Sequence, residues 1–174
     1  MEELNRAPAG STSEDSRFPV YVILDDVRSM HNVGSCFRTG DAFHIRGIAL
    51  CGYTPRPPHR DIHKTALGAT ETVPWVYYEA VTEAIETLKT EGYAIYAVEQ
   101  VHNSIPLQEM TFPPGKKIAL VFGNEVSGVS EAALALCEGS LEIPQWGTKH
   151  SLNISVSAGI VLWELVKKQA GSTT

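Results

Sequence analysis

The sequence predicts an α/β fold: one domain with a mostly parallel sheet flanked by helices. Three observations predict it. Continuous apolar, β-prone runs such as Val20-Tyr21-Val22-Ile23-Leu24 suit strands buried on both faces. Stripes with helical spacing alternate with them: Val33, Cys36, Phe37 and Gly40, then Val81, Ala84, Ile85 and Leu88. The strand-to-helix junctions carry polar or glycine-rich tips, and in open α/β sheets ligands sit outside the carboxyl ends of the strands.

The elements follow in order. Residues 1–19 are rich in Ser, Glu, Pro and Ala without periodicity and read as a mobile tail, leaving residues 20–170 as the domain. Residues 20–24 form the first strand, and Asp25 to His31 its polar exit loop. Asn32 is placed to cap the helix bearing the first stripe. Arg38 lies five positions after Val33, about 140° round the helix, so it points off the buried face. Residues 47–51 form the second strand, and Pro55, Pro57 and Pro58 break the chain after it. Residues 59–66 read as a short basic helix, residues 75–78 as a strand, and residues 79–90 as an amphipathic helix ended by Gly92. Strands are expected at 93–98, 117–122 and 141–143, and helices at 131–137 and 154–168.

Composition narrows the function. A chain of 174 residues with 43% apolar and 20% charged residues supports one domain with a sizeable core. The net charge of −6 excludes a protein that grips nucleic acid over its whole surface, and leaves room for a local basic patch. No apolar run reaches the roughly 18 residues of a membrane span, and the polar start lacks the apolar segment of a signal peptide. Cys36, Cys51 and Cys137 have no metal-ligand spacing, so free thiols in a reducing, cytoplasmic setting and no metal are expected.

The common phosphate loops and the nucleophile elbow are absent from the sequence. Cys36 sits on an apolar stripe, which is the wrong setting for a nucleophilic thiol. What remains at the strand ends is Arg38, Glu125 within Gly123-Asn124-Glu125-Val126-Ser127-Gly128, and the pair Ser151 and Asn153. A guanidinium holds phosphate well, and glycines allow close backbone approach to a ligand. Plain structural roles fit too: an N-cap for Ser151 or Asn153, an Asx turn for residues 123–128, and a solvated surface helix for the basic cluster Arg56, Arg60, His63 and Lys64.

Taken together, three segments resemble the signature motifs of the SpoU (TrmH-like) branch of the SPOUT RNA methyltransferases. They are Asn32-Val33-Gly34-Ser35-Cys36-Phe37-Arg38, the stretch from Val121 through Gly123-Asn124-Glu125 to Val129, and Ile143-Pro144 followed by Ser151-Leu152-Asn153-Ile154-Ser155. His63-Lys64-Thr65-Ala66-Leu67-Gly68-Ala69 is similar to a further family segment. Ser29-Met30-His31 and Phe43-His44 depart from the family pattern without touching the motif residues.

The resemblance implies a SPOUT fold with a deep C-terminal trefoil knot that holds S-adenosylmethionine. The implied cofactor residues are Val98, Glu99, Gly123, Ile143, Ser151 and Leu152. It implies methyl transfer to a ribose 2′-hydroxyl of tRNA or rRNA by a homodimer, with Arg38 acting across the interface as catalytic residue. Asn32, Glu125, Ser151 and Asn153 would orient Arg38 and the ribose. The apolar stripe Val156, Ile160, Trp163 and Val166 would supply interface. RNA would meet Arg56, Arg60, His63 and Lys64. Two other readings stand beside this one: a non-catalytic RNA- or partner-binding member of the fold, and an α/β enzyme acting on a small molecule.

RNA affinity is largely phosphate neutralisation. Reversing Arg60 and Lys64 to Glu is therefore expected to weaken RNA binding and leave cofactor binding intact. Filter binding at several salt concentrations checks this, and unchanged affinity removes the cluster from the account.

Overall fold

The structure is a computed structural model that describes residues 16–149 and 151–171. In chain order the elements are β1 (Phe18–Asp25), α1 (Met30–Ala42), β2 (Ile45–Cys51), α2 (Arg60–Ala66), α3 (Ala69–Thr72), β3 (Trp75–Tyr78), α4 (Val81–Thr90), β4 (Ala94–Val98), β5 (Ile105–Pro106), β6 (Ile118–Phe122), α5 (Glu131–Leu136), β7 (Gly139–Glu142) and α6 (Ile154–Gln169). The strands form one seven-stranded sheet in the order β3-β2-β1-β6-β4-β7-β5. Every pairing is parallel.

The side-chain period of two sorts the strands between two cores. Val22 and Leu24 of β1, with Ile118, Leu120 and Phe122 of β6, face α1 and α6, where Phe37, Val161, Leu162 and Leu165 are buried. Ile23, Ala119, Val121 and Ile95 face the other way, onto Val81, Ala84, Ile85 and Leu88 of α4 and Ala133 of α5. Each fully buried Leu, Ile or Val contributes roughly 1.5–3 kcal/mol, so the central strands β1 and β6 are anchored from both sides. The carboxyl ends of these rigid strands then serve as fixed mounts for the connecting loops.

Several expectations shift. The expected tail runs to residue 19, but β1 already begins at Phe18, and residues 1–15 of that tail lie outside the described residues. Asn32 is not the cap of α1. Ser29 is, its hydroxyl accepting from the Asn32 amide (3.2 Å), which releases the Asn32 side chain for another use. The last strand ends at Glu142, so Ile143 begins the following loop. The two-residue β5 and the four-residue α3 are too short to leave a periodic signal. Asn153 does cap α6, accepting from the Ser155 amide (2.9 Å).

Gly34 fixes how α2 meets α1. A Cβ there would overlap Thr65 Oγ1 and the Ile62 carbonyl oxygen. Alanine favours a helix interior by about 1 kcal/mol over glycine, but displacing backbone costs roughly 1–3 kcal/mol. Gly34→Ala is therefore expected to destabilise the protein, read as a lower urea midpoint. A raised midpoint would show that α2 moves aside freely.

Candidate active site

A cavity of about 600 Å³ opens at the carboxyl ends of β4, β6 and β7. Val98 ends β4 and Glu99 follows it, Gly123 follows β6, and Ile143 follows β7. Ser151 and Leu152 lead into α6. All six line the cavity, so the sequence-expected cofactor residues converge in one place. Ser151 is exposed and makes no hydrogen bond among the described residues. His150, inside the same stretch, lies outside the described residues.

The loop after β6 is folded tightly on itself. Asn124 and Gly128 exchange backbone hydrogen bonds (2.9 Å each). Asn124 Oδ1 accepts from the amides of Val126 (2.9 Å) and Ser127 (3.2 Å), which is the Asx turn. A Cβ on Gly123 would overlap the backbone of Gly128 and Val129. Gly128 has φ 73°, and a Cβ there would overlap the Glu99 carboxylate, whose Oε2 accepts from the Val129 amide (3.1 Å). The glycines of this segment thus permit close packing within the protein itself.

The loop is tied to β1 from outside. Asn124 Nδ2 donates to the Asp26 carbonyl oxygen (2.8 Å), and the buried Asp25 carboxylate accepts from the Ser130 amide (3.0 Å). The sequence marks Asp25 and Asp26 only as a polar exit. Two acids directly after a fully apolar strand were the available signal.

Glu125 joins the three motif segments. Its carboxylate accepts from the amides of Arg28 (3.2 Å) and Ser29 (3.1 Å) and from Asn32 Nδ2 (3.3 Å). Asn32 Oδ1 in turn accepts from Asn153 Nδ2 (3.3 Å). Partial burial raises the Glu125 carboxyl. Hydrogen bonds from its own backbone, from Ser29 and Arg28, and from Asn32 outweigh that, so Glu125 titrates below the ordinary glutamate value.

Arg38 stands apart. It is exposed on α1, lines no part of the cavity, and makes no hydrogen bond or ion pair among the described residues. It lies six positions after Asn32, about 9 Å along the helix. Within one chain the Glu125 network does not orient it. Cys36 is no nucleophile: burial, and then the charge of Glu125, push its thiol up to about 12. Among the described residues no group of His, Cys, Asp and Glu side chains is placed to hold a metal ion.

Arg56, Arg60, His63 and Lys64 are all exposed. Arg56 lies 4.1 Å from the centre of the Tyr77 ring, and Lys64 pairs with Asp61 at 2.8 Å. Such a surface pair is worth at most about 1 kcal/mol, so Lys64 stays available to a phosphate.

The family model described as the SpoU rRNA Methylase family matches residues 19–163. The chain belongs to that family. Among relatives of this SpoU chain, the 23S rRNA (guanosine-2′-O-)-methyltransferase RlmB of Neisseria meningitidis is 33% identical over 146 residues, covering 84% of this chain and 57% of the relative. The tRNA (guanosine(18)-2′-O)-methyltransferase of Thermus thermophilus is 32% identical over 151 residues, covering 85% and 74%. The crystal structure of an AdoMet-bound rRNA methyltransferase from Sinorhizobium meliloti superposes with a TM-score of 0.78 at 26% identity, covering 88% and 59%. The SpoU chain thus spans between about half and three quarters of the length of these proteins.

A depressed carboxyl gives stability that is complete above the ordinary glutamate range and is lost as pH falls through the lower folded value. Glu125→Gln is expected to cost about 1 kcal/mol at neutral pH. The difference from the unsubstituted protein should close in acid. Urea unfolding across pH checks this, and a difference independent of pH would contradict it.

Proposed function

We propose that this chain is an S-adenosylmethionine-dependent methyltransferase acting on a ribose 2′-hydroxyl of tRNA or rRNA. The observation that carries the reading is that the three motif segments meet through Glu125, Asn32 and Asn153 beside one cavity at the strand ends. Cavity and cofactor fit in character. Backbone polar groups of Glu99, Gly123 and Ser151 suit the edge of an adenine, and Ile143 and Leu152 suit its faces. When bound, the cofactor supplies an electrophilic sulfonium methyl group.

The remaining work falls to the protein. The cavity aligns the reacting groups for in-line attack. Arg38 anchors the phosphate beside the target ribose, and Ser151 and Asn153 position the 2′-hydroxyl. A guanidinium is a poor base, so any aid to proton loss runs through that phosphate.

Arg38 needs a second copy to meet a cavity, and the reading includes a homodimer. Val156 (49% exposed), Ile160 (38%) and Trp163 (58%) form an apolar face on α6, while Ile154, Ala158, Val161 and Leu165 fill the core. Phe43, at the end of the helix that carries Arg38, lies 6.2 Å from Trp163. Pairing through this face would bring Arg38 toward the partner's cavity. The trefoil knot belongs to the same proposal. It is supported by the route of the chain after β7, which lines the cavity, reaches Asn32 at Asn153 and then packs α6 on the α1 side of the sheet. The three free cysteines suit a cytoplasmic setting.

The test is transfer of labelled methyl to unmodified tRNA and rRNA, followed by nucleoside analysis. The expected product is a 2′-O-methylated nucleoside, reduced by at least about a hundredfold with Arg38→Ala. Absence of S-adenosylmethionine binding would favour the non-catalytic reading, and cofactor binding without transfer to either RNA would mean a missing partner or a different substrate.

A further inference from the structure

Cations and tyrosine rings alternate between the Glu125 network and the basic cluster. The Arg28 amide donates to Glu125, and its guanidinium carbon lies 5.5 Å from the centre of the Tyr53 ring. Tyr53, just after β2, is 77% exposed. The Tyr77 hydroxyl of β3 donates to the Gly52 carbonyl oxygen (3.1 Å), and Arg56 lies over the Tyr77 ring. Arg60 and Lys64, also exposed, follow Arg56 in the chain. The series follows the carboxyl ends of β1, β2 and β3, on the same edge of the sheet as the cavity.

The loop that presents Tyr53 is held firmly. The Tyr53 amide donates to Asp26 Oδ1 (2.8 Å). The buried Thr54 hydroxyl accepts from the Val27 amide (3.0 Å) and donates to the Leu24 carbonyl oxygen (3.0 Å). Asp26 itself has φ 53°, a strained value for a residue with a Cβ. A lone exposed aromatic side chain is ordinary. A tyrosine held outward by a buried threonine and a strained aspartate, with an arginine against its ring, is not.

We propose that Tyr53 with Arg28, flanked by Arg56 held over the half-buried Tyr77 ring, is a stacking platform for an unpaired RNA nucleotide flanking the one in the active site. The inference rests on the RNA methyltransferase reading above. A base stacks on an aromatic face, and the neighbouring guanidiniums hold the phosphates on either side. Alternation of cation and ring fits single-stranded RNA. A protein partner would favour a contiguous apolar patch with its charges at the rim, a small molecule would favour an enclosed pocket, and a duplex hides its base faces. The platform extends the binding surface from the cavity margin to the cluster at Arg60 and Lys64, in a chain whose net charge is otherwise negative.

The test uses fluorescence anisotropy with a short, labelled, mixed-sequence single-stranded RNA and with the same sequence as a duplex. Tyr53→Ala is expected to weaken single-strand binding by about tenfold, with little effect on the duplex and an unchanged salt slope. Tyr53→Phe should bind like the unsubstituted protein, and calorimetric affinity for S-adenosylhomocysteine should be the same in both variants. Arg28→Gln and Arg56→Gln should weaken binding and flatten its salt dependence. Unchanged single-strand affinity in Tyr53→Ala, or equal loss on single strand and duplex, overturns the platform. If the unsubstituted protein still methylates RNA in that case, the proposed function stands without it. A protein that binds S-adenosylhomocysteine and no RNA overturns both.

Discussion

The Glu125 carboxylate accepts hydrogen bonds from two backbone amides that precede α1 and from the Asn32 side chain within it. Through Asn32 it is coupled to Asn153 at the start of α6. A charged acceptor with several donors is among the stronger polar arrangements a surface can hold, and this one ties together residues more than ninety positions apart. Without it, the loop after β6, the start of α1 and the approach to α6 would lack their common attachment at the cavity. Glu125 is exposed, and its contribution to global stability is limited to about 1 kcal/mol. Its effect is to fix the relative positions of chain segments that a parallel sheet alone brings near one another.

The sheet makes that attachment possible. Parallel strands of a doubly covered sheet end on the same side, so the loops after β1, β4, β6 and β7 all emerge at one edge. Glycines permit close approach near this edge: Gly34 admits α2 beside α1, Gly123 admits the return of its own loop, and Gly128 admits the Glu99 carboxylate. Side chains at this edge then divide by task. Asp25, Asp26 and Asn124 hold loops in place. Val98, Ile143 and Leu152 line a cavity. Arg28, Tyr53 and Arg56 face solvent.

Much of this was legible in the sequence, and the failures have physical reasons. The strand at Trp75–Tyr78 and the stripe of α4 were readable because burial imposes a period on side chains. The six cavity residues were readable through motif resemblance, which carries three-dimensional convergence that no local pattern encodes. The capping reading of Asn32 fails because Ser29 and Asn32 are both good caps, and only tertiary contact with Glu125 decides between them. The attachment of Glu125 to the Arg28 and Ser29 amides could not be foreseen, since backbone donors have no residue signature. Tyr53 lies between the second strand and the proline break, where no local pattern marks a role for it. Arg38 was read correctly as pointing off the buried stripe, but a single chain gives it nothing to bind.

The central claim is that the Glu125 network shapes the cavity proposed to hold S-adenosylmethionine. Calorimetric titration of S-adenosylhomocysteine into the unsubstituted protein and into Glu125→Ala tests it most directly. The account predicts one site per chain in the unsubstituted protein and an affinity about tenfold weaker in the variant, a difference of ~1.4 kcal/mol. Equal affinity in the two proteins, with the variant folded, would contradict it.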